Sequence, residues 1–281
     1  RATRTNGVER ARMDATALAK PHDFQRTFDA RKYLEHYWPV DVLDSECQFI
    51  LTFMHDTYSK HKDRVMGKTL FEFSGGPIVD KYLSASRYVG KIYHSAHTPQ
   101  SRAEIERITR RSEDRYDWYK RFEFVEGLEQ SGGGKKGAET SRVEERLCSK
   151  LSGSVLGCDA DLPFGGVSDE GLRDEIGILS INSVIECIST SKEDFVAKLH
   201  RVLDILRPGG MLVMTLNVET TYWEGGNGIK YPAVYTTEEE IVRVLASRGF
   251  VDIETRVFTS SEEGTESEMD KTIALSAWLG D

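Results

Sequence analysis

A short apolar strand that runs straight into paired glycines constrains this chain more than any other feature. Thr69-Leu70-Phe71-Glu72-Phe73 reads as a β-strand, and Ser74-Gly75-Gly76-Pro77 follows it without a spacer. Val79, Tyr82 and Leu83 then recur at helical spacing, so the segment is predicted as strand, glycine turn and helix. A second strand over 89–94, then Pro99 and a charged helix over 101–111, completes a βαβ pattern. That alternation produces parallel strands, which need helices on both faces of the sheet.

The same alternation continues downstream. Residues 154–157 offer a short strand, 176–184 an apolar strand and 192–206 an amphipathic helix. Arg207-Pro208-Gly209-Gly210 stops that helix and turns the chain into Met211-Leu212-Val213-Met214-Thr215-Leu216, a buried strand. Thr236-Thr237-Glu238-Glu239-Glu240 caps a helix over 241–248 and places acids where the helix dipole favours them. Two final strands, 250–258 and 271–279, flank an acidic Ser/Glu-rich stretch and suit an antiparallel pair. Ahead of the sheet, Tyr33, Leu34, Tyr37 and Trp38, then Phe49, Ile50, Phe53, Met54 and Tyr58, predict two helices. The expected organisation is a flexible leader over 1–26 and one α/β domain over 27–281, with cap helices in 27–66. The sheet is expected to be doubly wound and mainly parallel.

Composition narrows the function classes. The 281 residues are 39% hydrophobic and 10% aromatic, a globular balance, and 46 acids against 37 Lys and Arg give a net charge of -9. That charge argues against a nucleic-acid backbone partner. No apolar run reaches the roughly 18 residues of a membrane span, and no secretory core opens the chain. The expectation is a soluble, cytoplasmic monomer without a membrane partner. Cys47, Cys148, Cys158 and Cys187 lie far apart with no Cys-x-x-Cys pair, so neither a metal nor a disulfide framework is expected. No H-E-x-x-H helix and no G-x-S-x-G elbow occurs. Gly132-Gly133-Gly134-Lys135-Lys136 lacks Walker spacing and reads as a solvated loop.

A glycine turn at a strand end lets backbone approach a cofactor closely, and ligands of such sheets collect at the carboxyl ends of the strands. Dinucleotides need a pyrophosphate seat of the G-x-G-x-x-G kind, whereas Ser74-Gly75-Gly76-Pro77 has adjacent glycines and a proline without an N–H. A cofactor lacking pyrophosphate fits better, and S-adenosylmethionine is one.

Several segments, in order and spacing, resemble the nicotinamide, phenylethanolamine and indolethylamine N-methyltransferase family. They are Phe28-Asp29-Ala30-Arg31-Lys32-Tyr33-Leu34-Glu35-His36-Tyr37-Trp38, Phe71-Glu72-Phe73-Ser74-Gly75-Gly76-Pro77 with Leu83-Ser84-Ala85, and Asp117-Trp118. Cys158-Asp159, Leu179-Ser180 with Glu186, Leu206-Arg207-Pro208-Gly209-Gly210, Glu219-Thr220-Thr221-Tyr222-Trp223 and Ala277-Trp278 complete them. The resemblance implies a Rossmann-like class I methyltransferase domain, S-adenosylmethionine as cofactor and a small amine or pyridine-type substrate methylated on nitrogen. It also implies roles. Tyr33, Trp38, Glu72, Ser74, Gly75, Gly76, Pro77, His97, Cys158, Asp159 and Ser180 would serve the cofactor. Glu186 and Glu219 would offer acids to the amine, and Tyr37, Tyr222 and Asp270 would face the substrate. The physical logic stands beside the resemblance: ring faces attract a sulfonium, and an apolar lid excludes water from methyl transfer. Aromatics that simply bury a cap helix are the plainer alternative.

The chain departs from the family at two places. Where the family reads Asp-Ile-Gly-Ser-Gly-Pro-Thr, this chain reads Glu72-Phe73-Ser74-Gly75-Gly76-Pro77-Ile78. Where the second strand ends in Asp-Tyr or Asp-Phe, this chain has Ala96-His97, which removes an acid for the ribose hydroxyls. Three readings therefore stand: an N-methyltransferase in which His97, Ser95 or Gln100 replaces that acid, a catalytically silent relative kept for binding or scaffolding, and another nucleotide-cofactor enzyme of the same fold.

Overall fold

The computed structural model describes residues 18, 27–130, 141–151, 155–167, 170–260 and 271–280. The leader, apart from residue 18, the Gly-Lys loop over 131–140, and Asp270 with its acidic connection lie outside these residues. Among the described residues, two helices precede the sheet, α1 (Ala30–Tyr37) and α2 (Ser45–Lys60), with a single turn, α3 (Lys62–Val65), after them. Asp29 caps α1 by accepting from the N–H groups of Arg31 and Lys32, and Asp44 caps α2 by accepting from that of Cys47.

The strands are β1 (Thr69–Ser74), β2 (Lys91–Ala96), β3 (Ile176–Asn182), β4 (Met211–Asn217), β5 (Tyr222–Glu224), β6 (Lys230–Pro232), β7 (Phe250–Thr259) and β8 (Lys271–Leu279). Six of them form one sheet in the order β2-β1-β3-β4-β8-β7, and β5 and β6 form a separate hairpin. β2, β1, β3 and β4 run parallel, while β8 and β7 close the edge antiparallel. Residues 89–90 lie outside β2 and 183–184 outside β3, small shifts from expectation. Of the predicted strand over 154–157, residue 154 lies outside the described residues and Leu156 makes an isolated parallel bridge to Ser95 of β2; Leu151 makes another to Ile92.

Helices cover both faces. α4 (Pro99–Thr109), α5 (Tyr119–Gln130) and α6 (Arg142–Lys150) follow β2, the short α7 (Glu170–Glu175) and α8 (Ile185–Ile188) flank β3, and α9 (Lys192–Leu203) and α10 (Glu238–Ser247) follow. Alternate residues of β1 serve opposite faces: Leu70 joins the core under α2 and α5, while Phe71 and Phe73 join the core under α9 and α10. This is the doubly wound, mainly parallel, Rossmann-like class I methyltransferase architecture.

The segment after the glycine turn differs from the predicted helix. It forms two tight 3-10 turns, Asp80–Tyr82 and Ala85–Arg87. Every residue from 76 to 86 is buried, so no solvent-facing side exists for an amphipathic helix, and the tight turns bring Asp80 and Lys81 under the cap. The capping box predicted before α10 is present, with Thr237 and Glu240 exchanging side-chain and backbone hydrogen bonds.

Candidate active site

The chain reverses direction across the sheet at β1, whose neighbours are β2 on one side and β3 on the other. Such a switch point opens a crevice at the carboxyl ends of the strands. A cavity of about 580 Å³ lies there, lined by residues that follow four strands: His97 after β2, Ser74 to Gly76 at β1, Asn182 to Val184 at β3 and Asn217 at β4. With neighbouring strands about 4.8 Å apart, three intervals make the floor about 14 Å long.

The floor at β1 is backbone. Ser74 Oγ accepts from Gly76 N–H and donates to Gly76 O, which folds the turn on itself. A Cβ at Gly75 would stand 3.0 Å from Val184 Cγ2, and one at Gly76 would stand 3.0 Å from Tyr33 Cε1. A side chain at either position would make its neighbour give by a few tenths of an ångström, because Val184 and the Tyr33 ring of the roof approach the turn this closely.

The roof is aromatic. Tyr33 packs against Tyr37, Trp38 and Phe28 with ring centroids 5.1, 5.5 and 5.3 Å apart, and all four rings line the cavity. Trp223 and Tyr231, stacked at 5.0 Å on the β5–β6 hairpin, complete it. Hairpin and cap are locked together: Tyr37 Oη donates to Glu224 O at 2.8 Å, Thr27 Oγ1 and Tyr231 Oη lie 2.7 Å apart, and Gly226, at φ +77°, leaves no room for a Cβ beside Tyr33 Cα. From the other side Tyr116 Oη donates to Trp38 O and Arg121 to Pro39 O, each at 2.7 Å.

The two ends of the cavity differ in chemistry. At the β2 end, His97 Nδ1 lies 3.0 Å from Cys158 O, Cys158 Sγ donates to Ser74 O, and Asp159 N–H donates to Gly165 O. Ala96 is wholly buried and does not line the cavity, and Ser95 Oγ is spent on Glu72 O. At the β4 end, Asp44, Glu46 and Lys81 join Asn217 on the wall. Glu46 accepts from Thr272 Oγ1, and Thr272 is the register partner of Asn217 on β8. Lys81 Nζ lies 3.4 Å from Asp80 Oδ2, which also accepts from Trp38 Nε1 at 2.8 Å.

Besides Asp80, the fully buried acids Glu72 and Glu186 stand behind the walls. Glu72 accepts from Asn182 Nδ2 at 3.1 and 3.2 Å, and burial pushes its carboxyl up to about 8. Glu186 accepts from Asn217 N–H at 2.9 Å through Oε1, its Oε2 has no partner among the described residues, and burial raises it to about 7. Each thus holds an asparagine that does face the cavity. Burial pushes the Cys47 and Cys158 thiols up to about 12, so these wall cysteines stay protonated at neutral pH.

Of the residues singled out from sequence, Tyr33, Tyr37, Trp38, Ser74, Gly75, Gly76, His97, Cys158 and Asp159 are brought together on one wall system. Glu72, Pro77, Ser180 and Glu186 are buried beneath it. Glu219 pairs with Lys271 at 2.6 Å and Tyr222 sits in β5 under Lys230, neither on the cavity. Glu186 and Glu219 therefore do not open onto a common space, and Asp270 lies outside the described residues. Sequence reasoning passed over Glu46, Lys81, Asn182, Asn217, Cys187, Trp223 and Tyr231. The two asparagines end β3 and β4, a position that the strand-end rule could have flagged; Glu46 and Lys81 carried no such signal.

The geometry agrees with what known proteins show. Residues 16–277 match the NNMT/PNMT/TEMT family. Indolethylamine N-methyltransferase of Oryctolagus cuniculus is 26% identical over 242 residues, 84% of this chain and 87% of that protein. Nicotinamide N-methyltransferase of Homo sapiens is 24% identical over 254 residues, 89% and 92%. Among solved structures, the N-methyltransferase NodS from Bradyrhizobium japonicum WM9, in complex with S-adenosyl-L-homocysteine, superposes with a TM-score of 0.52 at 9% identity over 89% of this chain and 96% of its own. Magnesium protoporphyrin IX methyltransferase from Synechocystis PCC 6803, with bound SAM, gives 0.51 at 11% identity over 92% and 95%. The fold is shared with both. With nearly its whole length matched and the strand-end cavity in place, the chain belongs to the NNMT/PNMT/TEMT family of class I methyltransferases.

Proposed function

We propose that the protein moves a methyl group from S-adenosylmethionine to the nitrogen of a small amine or pyridine-type acceptor. The observation that carries this reading is the aromatic roof set in van der Waals contact range of a glycine turn at the switch point of the sheet. The residues present suit the donor. A cavity of about 580 Å³ falls inside the usual range of about 300–1,000 Å³ for small-molecule sites. His97, Cys158 and Asp159 offer polar and apolar contacts for a nucleoside at the β2 end, and the rings of Tyr33, Tyr37 and Trp38 suit a cation. When bound, the donor supplies an electrophilic methyl on a positively charged sulfur.

The protein's part is alignment and exclusion of water. The cap and hairpin roof the site, and Glu72 and Glu186, bonded to the Asn182 amide and to the Asn217 main-chain N–H, fix the ends of β3 and β4 on which an acceptor would rest. Glu186 serves as a positioning residue, since it reaches the wall only through Asn217. Transfer of tritium from methyl-labelled S-adenosylmethionine to a panel of primary amines and pyridines tests this, with Tyr33→Ala expected to lower the rate at least tenfold. A folded protein that binds the donor but labels no acceptor would support a second reading, a silent binding module. Ala96, buried where the family has its ribose acid, favours that reading.

A further inference from the structure

The β4 end of the cavity carries charge of both signs that a simple amine acceptor alone does not call for. Lys81 lines it with a side chain only 7% exposed. Among the described residues its ammonium has one hydrogen-bond partner, Asp80 Oδ2, at 3.4 Å, and that oxygen is shared with Trp38 Nε1. Asp80 itself is not on the cavity wall, and its Oδ1 has no partner. An ammonium carries three donors, so most of the capacity of Lys81 is unused in a place shielded from water. Beside it on the same wall stand Glu46, bonded through Oε1 to Thr272, and Asp44, whose Oδ1 is taken by the α2 cap. A cationic amine alone would be repelled by Lys81, and an anion alone by Glu46 and Asp44. A group bearing both charges on one carbon matches the set.

We propose that Lys81 and Glu46 form a clamp for an α-amino-acid head group, with carboxylate on Lys81 and ammonium on Glu46. This rests on the methyltransferase reading of the cavity. The head group could be supplied by the methionine end of the donor or by a zwitterionic acceptor, and binding measurements separate the two.

Calorimetric titration of the full chain would use two ligand pairs: S-adenosylhomocysteine against 5′-methylthioadenosine, and, with S-adenosylhomocysteine saturating, L-tryptophan against tryptamine. In at least one pair the ligand with the head group binds at least tenfold more tightly, and Lys81→Met removes that preference while leaving its partner within twofold. The first pair responding assigns the clamp to the donor, the second to the acceptor. Because Lys81→Met leaves Asp80 buried without its cation, the Asp80→Asn/Lys81→Met double variant, with an intact thermal melt, is titrated alongside. No preference in either pair for the wild-type protein, or an equal loss for both members of a pair, overturns the clamp. Failure to bind either adenosyl compound overturns the methyltransferase reading, and the clamp with it.

Discussion

At the β2 end of the cavity the wall is held by backbone: His97 leans on Cys158 O, Asp159 on Gly165 O, and Arg102 clips the carbonyls of Ala96 and His97 at 2.9 Å. At the β4 end it is held by buried side chains: Asp80 under Lys81 and Trp38, Thr272 on Glu46, Glu186 under Asn217. The first arrangement lets a side chain change without disturbing the sheet. The second ties recognition to the folding of the cap, because its charges are buried and depend on one another.

The largest effect is therefore expected at the charged end. Asp80→Ala leaves the buried Lys81 ammonium without its bonded counter-ion and Trp38 Nε1 without an acceptor, and should cost about 3–5 kcal/mol in urea unfolding. A cost below about 1 kcal/mol, the scale of an exposed pair, would remove the contrast.

Glu72→Gln comes next and is read through pH. Burial raises this carboxyl to about 8 in the folded protein, against about 4.3 in an unfolded chain. Below the lower value both states hold the proton; between the two only the folded state does, so stability falls as pH rises to about 8. The amide keeps an acceptor for Asn182 without that titration. The variant should gain on wild type by about 2–4 kcal/mol between pH 5 and pH 8, measured by thermal unfolding at both. Parallel curves for the two proteins would show that Glu72 does not carry the dependence.

His97→Ala probes the opposite end. Affinity for S-adenosylhomocysteine should fall about threefold to tenfold, or about 0.7–1.4 kcal/mol, with stability changed by no more than about 1 kcal/mol. A large loss of stability there would mean that the β2 end is as fold-dependent as the β4 end. The smallest effect belongs to Glu219→Gln. Its partner Lys271 and Glu219 itself are each about one-third exposed, so the change should cost less than about 1 kcal/mol and leave donor affinity unaltered. Reduced affinity would place Glu219 at the cavity after all.

The same contrast explains what the sequence revealed. Period and punctuation announce strands and turns: the run into Ser74-Gly75-Gly76 and the Thr237 cap have local causes and stand in the structure, and Arg207-Pro208-Gly209-Gly210 leads into β4 as expected, although α9 already ends at Leu203. The backbone-built end and the aromatic cap were legible for that reason. Lys81 lies off the Val79, Tyr82 and Leu83 pattern of the predicted helix, and only tertiary burial of the whole 76–86 segment turns it inward. Glu46 gained its place from Thr272, more than 200 residues away, which no local pattern encodes. Glu186 and Glu219 matched family positions, yet only the fold separates an acid under the wall from one outside it. The β5–β6 hairpin was too short, with three residues per strand, to leave a period.

The central claim is that the cavity lined by the glycine turn and the aromatic roof holds the adenosyl donor. Titrating purified protein with S-adenosylhomocysteine, beside a Gly76→Val variant, tests it most directly. A Cβ at Gly76 would stand 3.0 Å from Tyr33 Cε1, so valine must displace the Tyr33 ring from its place in the roof. The account predicts saturable one-to-one binding by the wild-type protein and at least a tenfold loss in the variant with its fold intact. No binding by folded wild-type protein, or equal binding by both, would contradict it.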